Sequence, residues 1–150
     1  MILISHRGNI NGPNDKYEND PKYILEAFNN GFNVEVDIWL HNNKIMLGHD
    51  EPKYNITLDW FKSVYNKLWL HCKNIDILEY FSNNDPMGVY LNYFWHETDT
   101  VTITSKGYIW AYPNKQPIKG SIGVLPELNG DDISKCYGVC SDYISNYKIK

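Results

Sequence analysis

The chain has 150 residues, 43 % hydrophobic and 15 % aromatic, which is enough apolar material for one packed core and argues against disorder. A net charge of −4 leaves no basic stripe to neutralise a phosphate backbone, which argues against nucleic acid as the main partner. The three cysteines, Cys72, Cys136 and Cys140, form neither a disulfide framework nor a spaced zinc set, as expected in a reducing compartment.

No apolar run approaches the ~20 residues of a membrane span, and the N-terminus has no signal-peptide pattern. The expectation is a soluble cytoplasmic protein, a single domain over 1–150, without stable membrane insertion.

The elements follow in chain order. "ILIS" (2–5) is a short continuous apolar run, the pattern of a strand buried on both faces. "NDPKYILEAFNNGF" reads as a helix with Asp20 as N-cap and Pro21 at the first helical position. Ile24, Ala27 and Phe28 form its apolar stripe, and Gly31 stops it. "NVEVDIWL" (33–40) alternates as a strand and turns through Asn42-Asn43 into "IMLGH" (45–49), a hairpin.

"TLDWFKSVYNK" predicts a second helix capped by Thr57, with Leu58, Phe61 and Val64 or Tyr65 facing the core. "LWLHCK" (68–73) is the next strand. "NIDILEYFSNN" is a short helix with Ile75, Leu78 and Phe81 on one side. The second half reads as strands at 87–94, 100–104, 107–112, 121–126 and 137–144, with a helical turn near 131–136.

About eight main strands and early strand–helix alternation point to parallel βαβ units. A regular (β/α)₈ barrel needs about 250 residues, or about 200 at the small end. The expected class is therefore α/β: a small, reduced barrel with several helices shortened or missing, or an open sheet.

Polar groups recur at the strand ends: His6-Arg7, Glu35 and Asp37, Gly48-His49-Asp50, His71 and Lys73, His96-Glu97, and Asp142. In a parallel barrel these ends share one rim, where active sites are built. Glu35 and Asp37 are two apart on a strand and point to the same face. Two carboxylates that close call for a cation between them, and oxygen ligands suit Mg²⁺ or Ca²⁺. His6 and His49 flank that pair as a general acid and base would, and Arg7 and Lys73 add positive charge for anionic oxygens. Together these groups suggest phosphate-ester chemistry. Trp95, His96 and Trp110 either shape the pocket or belong to the core.

"SHRG", "EN" before a helix, "GFNVEVDIWL", "LGHD" and the terminal "CSDYI" resemble the glycerophosphodiester phosphodiesterase family, within the phospholipase-C-like phosphodiesterase superfamily. The resemblance is dense over residues 2–52, thinner at 68–73, and returns at 137–144. It implies a TIM barrel, a divalent metal, and a soluble small-molecule phosphodiester as substrate, in lipid metabolism. It also implies that His6 and His49 are the acid–base pair, that Glu35 and Asp37 ligate the metal, and that Arg7 and Lys73 bind the phosphate. Glu18, in "YEND", would sit beside the metal or substrate.

Position 71 departs from the family pattern. An acidic metal ligand is usual two residues before the lysine, and this chain has His71. A ring nitrogen there would favour Mn²⁺ or Zn²⁺ over Ca²⁺. The expected cofactor is a divalent metal, Mg²⁺ first, with Ca²⁺ or Mn²⁺ as alternatives. The attacking group is left open: water would give a monoester, and a substrate hydroxyl a cyclic phosphate, as in a phospholipase-type lyase. The competing readings are a non-catalytic phosphate or phosphosugar-binding module, a scaffold retained for interaction alone, and a related enzyme acting on lipid head groups. Missing helices would leave apolar flanks that oligomerisation could cover.

Overall fold

The computed structural model describes residues 1–83 and 90–148. The first strand, β1 (Ile2–His6), leads through an irregular segment to α1 (Pro21–Asn29). Asp20 caps α1 by accepting from the Lys22 amide, and Gly31 takes the left-handed conformation just past the helix end. Ile24, Ala27 and Phe28 are buried, as the periodicity predicts.

Strand β2 (Asn33–His41) turns through Asn42 and Asn43, both at positive φ, into β3 (Lys44–Leu47). Two left-handed residues in succession make a type I′ turn, whose twist matches that of a hairpin. A two-residue strand, β4 (Tyr54–Asn55), extends this arm and was not expected. Helix α2 (Leu58–Val64) follows, capped by Thr57, with Phe61 and Val64 buried. Leu58, expected in the core, is exposed because it occupies the first helical position beside the cap.

Next come β5 (Leu68–Cys72) and α3 (Ile75–Asn83). The buried face of α3 is Ile77 and Phe81, with Leu78 partly buried against the same cluster; Ile75, expected inside, is exposed. Asn74 sets this phase. Its side chain holds the Leu40 amide and carbonyl at 3.2 and 2.9 Å and also accepts from the Ile77 amide at 3.3 Å. The helix start is thereby clamped to β2.

The second half holds β6 (Tyr93–Trp95), β7 (Val101–Ile103), β8 (Ile109–Ala111), β9 (Ile122–Val124) and β10 (Gly138–Ser141). The expected strand 87–94 begins outside the described residues. The helical turn expected near 131–136 is a single hydrogen-bonded turn, the Cys136 amide donating to the Ile133 carbonyl at 3.0 Å, and it does not extend into a helix: Asp132 accepts from the Ser134 amide and competes with helical bonding, and a 3₁₀ turn lies at Pro126–Leu128. The end of the expected strand 137–144 runs into a 3₁₀ turn at Ile144–Tyr147.

All ten strands belong to one sheet. Its parallel run is β6-β5-β2-β1-β10-β9-β8, with β3 and β7 antiparallel to β2 and β8. The sheet curls. Trp110 of β8 packs on Phe94 of β6 with ring centroids 4.7 Å apart, and the Ser105 amide, just past β7, donates to the Tyr93 carbonyl of β6 at 2.8 Å. The result is a mixed α/β fold with a curled sheet and few helices, the coarse form of the expected reduced barrel.

The two faces of the sheet carry different cores. Val34, Val36, Ile38, Leu68, Leu70 and Cys72 point outward against the three helices. Ile4, Trp69, Phe94, Trp110, Ile122, Val124 and Cys140 pack together on the concave side. Two residues further along β1, β5, β6, β8 and β10, past Ile4, Trp69, Phe94, Trp110 and Cys140, the residues are His6, His71, His96, Tyr112 and Asp142 and the concave face becomes polar. Among the described residues no helix is long and apolar enough to cross a membrane.

Candidate metal and phosphate site

The polar layer sits at the carboxyl ends of the parallel strands, and strand register assembles it. His6 of β1 pairs across the ladder with Glu35 of β2, and Asp37 of β2 pairs with His71 of β5. Partners in a parallel ladder share a face, so four titratable side chains point into the concavity. Glu35 and Asp37 are buried at 2 % and 0 % exposure, beyond the reach of bulk water to solvate two charges.

Glu35, Asp37 and His71 each offer a ligand atom, and these atoms lie within 4.8 Å of one another. Their hydrogen bonding is incomplete. Glu35 Oε2 and Asp37 Oδ1 are buried with no aligned donor. His71 Nδ1 stands 2.9 Å from Asp37 Oδ1 and 3.8 Å from Glu35 Oε1, while its Nε2 meets the backbone carbonyl of His96 at 3.2 Å. A carbonyl only accepts, so Nε2 carries the hydrogen and Nδ1 of a neutral ring presents a lone pair to the carboxylates. Carboxylate oxygens and a ring nitrogen gathered around one point could hold a cation, and the carbonyl on the far ring nitrogen is the support a metal-ligating histidine needs. The donor set fits a divalent ion.

Asp37 is also held from its other oxygen. Asn19 Nδ2 donates to Oδ2 at 3.0 Å, and His49 Nδ1 lies 3.2 Å from it. Arg7 Nε is 3.0 Å away without hydrogen-bond alignment, and Lys73 Nζ stands 3.6 Å from Oδ1. Burial would raise the Asp37 pKa, but the hydrogen bond from His49 Nδ1 and the Arg7 charge work against it, and the carboxyl is held well below the usual carboxylate range. Glu35 moves the other way: burial and the Asp37 charge both raise it. Repulsion within the pair is thus resolved unequally when protein groups alone surround it.

His6 Nδ1 bonds Asp142 Oδ1 at 2.8 Å and its Nε2 lies 3.8 Å from Glu35 Oε2. Burial works against protonation of His6, but the Asp142 bond and the Glu35 charge outweigh it and raise its pKa. Asp142 is correspondingly lowered: burial opposes ionisation and the His6 bond prevails.

Two strained positions aim these groups. Arg7 has φ 54° and Asn19 φ 63°, and the Asn19 amide donates to the Arg7 carbonyl at 3.0 Å. Gly48 has φ 152°, and a Cβ there would lie 2.0 Å from the Glu51 carbonyl oxygen. Its own carbonyl accepts from Trp39 Nε1 at 2.6 Å, which fixes the approach of the chain to His49.

A cleft of about 440 Å³ opens over the site, lined by His6, Arg7, Glu35, His49, His71 and Lys73 on one side and by Trp95, His96, Trp110, Tyr112, Val124 and Leu125 on the other. Seven of the eight residues singled out in the sequence thus line the cleft or, for Asp37, sit directly beneath it. Glu18 is different. It supports Arg7 from behind, Oε2 accepting from Nη1 at 3.0 Å, and faces a neighbouring groove of about 540 Å³.

The sequence reading assigned no role to Asp142, Asn9 or Asn19. Asp142 lies in "CSDYI" and Asn19 in "EN", both stretches that carry the resemblance, so a signal existed. Asn9 is fully buried and donates to both Glu18 Oε1 and Asp142 Oδ1 at 2.8 Å. In a chain rich in asparagine nothing marked it. No family model, curated protein or solved structure matches the chain.

Proposed function

We propose that the protein is a metal-dependent phosphodiesterase acting on a glycerophosphodiester or similar small diester, on a reduced TIM-type barrel. The observation that carries this reading is the facing of His71 Nδ1, a lone-pair donor, and two buried carboxylates whose outer oxygens lack aligned donors. Arg7, Lys73 and two carboxylate-backed histidines share the same cleft. Glu35, Asp37 and His71 would hold the ion. The two carboxylates suit Mg²⁺, and the ring nitrogen extends the choice to Mn²⁺. When bound, the ion would supply charge stabilisation for the phosphoryl oxygens.

The chain's own groups supply the rest. Arg7 and Lys73 neutralise and orient the phosphate. Asp142 fixes the His6 tautomer with Nε2 toward the cleft, and Asp37 does the same for His49. One imidazole takes the proton of the attacking hydroxyl as its oxygen bonds phosphorus. The other gives a proton to the leaving alcohol oxygen as the ester bond breaks.

The test is ³¹P NMR of the protein with glycerophosphodiesters in Mg²⁺, Mn²⁺ or EDTA. A monoester or cyclic-phosphate signal that EDTA abolishes supports the reading and identifies the nucleophile. Turnover that persists in EDTA, or in both His6→Ala and His49→Ala, overturns it.

A further inference from the structure

His96 is the one cleft histidine that the proposed chemistry does not use. It follows β6 directly, on the rim that carries the site. Its ring is held from several directions. It stacks on Tyr112 with centroids 3.6 Å apart, and Nδ1 bonds Asp99 Oδ2 at 3.1 Å. Asp99 is itself pinned by the Glu97 amide at 3.2 Å. The His96 backbone is fixed too, because its carbonyl meets His71 Nε2. Such a side chain loses little conformational freedom on meeting a ligand.

An ionised carboxylate only accepts, so Nδ1 of His96 carries the hydrogen and Nε2 of the neutral ring is an acceptor. Among the described residues no hydrogen bond reaches that nitrogen. The ring lies 5.8 Å from the His71 ring, centroid to centroid, so a group bonded to His96 sits close to a phosphate held at the metal site.

We propose that His96 Nε2 accepts a hydrogen bond from a neutral hydroxyl on the organic group of the substrate, making His96 a specificity-determining residue for hydroxylated phosphoesters. The inference deepens the diesterase reading and rests on it for the anionic end of the ligand. An ammonium donor fits less well: with an ion on Glu35, Arg7 and Lys73 outnumber Glu97 among the charged groups of the cleft. The apolar face of such a group meets Val124 and Leu125 on the same wall. A site arranged to bond a hydroxyl discriminates against the analogue without one, because its own acceptor is then desolvated and unpaired.

The experiment compares binding of glycerol 3-phosphate and n-propyl phosphate by isothermal titration in Mg²⁺, which requires no turnover. The wild-type protein is expected to favour the glycerol ester by about tenfold, the worth of one good hydrogen bond. His96→Phe keeps a ring to stack on Tyr112 but has no acceptor; it should bring the ratio near one, with the propyl ester's affinity unchanged or raised. Asp99→Asn frees the tautomer and should lower the ratio with the ring still in place, which serves if His96→Phe does not fold. A ratio unchanged in the variants overturns the proposal, as does a wild-type protein with no preference, including one that binds neither ester. A retained ratio in a protein that cleaves no diester would leave His96 in its role and remove the diesterase reading instead.

Discussion

His71 Nδ1 lies 2.9 Å from Asp37 Oδ1 while its far nitrogen is tied to the His96 carbonyl. This places a nitrogen lone pair and a carboxylate face to face in a buried layer, the arrangement on which His71 is proposed as a ligand. His71→Ala should weaken Mn²⁺ binding by about 100-fold or more, beyond the 10–100-fold typical of losing a supporting group. His71→Glu should restore binding with a shift toward Mg²⁺ and Ca²⁺. Titration calorimetry with each ion in turn checks both, and equal Mn²⁺ affinity in wild type and His71→Ala would remove His71 from the ligand set.

Ion binding to the folded chain alone raises its stability. At 100 times the dissociation constant the gain is about 2.7 kcal/mol, and in a chain of this size that lifts Tm by roughly 5–10 °C. Glu35→Gln should abolish the lift. It should also raise Tm in EDTA, because it removes one of two adjacent buried carboxylates. Differential scanning fluorimetry with and without Mn²⁺ reads both effects.

The His6–Asp142 pair predicts a pH window. Asp142 has a lowered folded pKa, so its contribution is present above its unfolded value of about 3.9 and is lost as pH falls through the folded one. His6 has a raised folded pKa, so its contribution is full below about 6.5 and is lost as pH rises through the folded value. Both act together between those limits. In EDTA, Asp142→Asn should therefore lower Tm most between about pH 4 and 6.5, with the difference shrinking at higher pH. A pH-independent difference would mean that the pair does not titrate as described.

Gly48→Ala places a Cβ against backbone, where nothing flexible can yield. The cost is on the order of 1–3 kcal/mol of stability, and relief requires moving the turn that carries His49. Diesterase turnover should fall by more than the unfolded fraction accounts for. His49→Ala should lower kcat by about 10²–10⁴-fold and also cost about 1–3 kcal/mol of stability, because it takes a hydrogen-bond partner from the buried Asp37. Paired kcat and Tm measurements on the two variants separate misplacement of His49 from its removal.

Much of this was legible because local chemistry and global fold agree in the first half. Asp20, Pro21 and Gly31 bracket α1, and the Asn42-Asn43 turn declares its hairpin. Alternation in β2 put Glu35 and Asp37 on one face before any partner strand was known. The phase of α3 was not legible, because Asn74 sets it through bonds to Leu40, 34 residues away. The late strands are three or four residues long, too short for periodicity to fix their ends. Asn9 matters through Glu18 and Asp142, which it joins across the fold, and spacing in sequence carries no trace of that.

The helices α1, α2 and α3 all pack beside β2 and β5, while β8, β9 and β10 are backed by loops and 3₁₀ turns. The amides of β2 and β5, buried beneath that helical layer, should be the last to exchange with deuterium, and those of β8 and β9 should open earlier. The cleft straddles that boundary. Glu35 and Asp37 stand on the slow half and the wall of Tyr112, Val124 and Leu125 on the fast half, so on the proposed reading the ion site would stay formed while the wall that would face the substrate's organic group breathes.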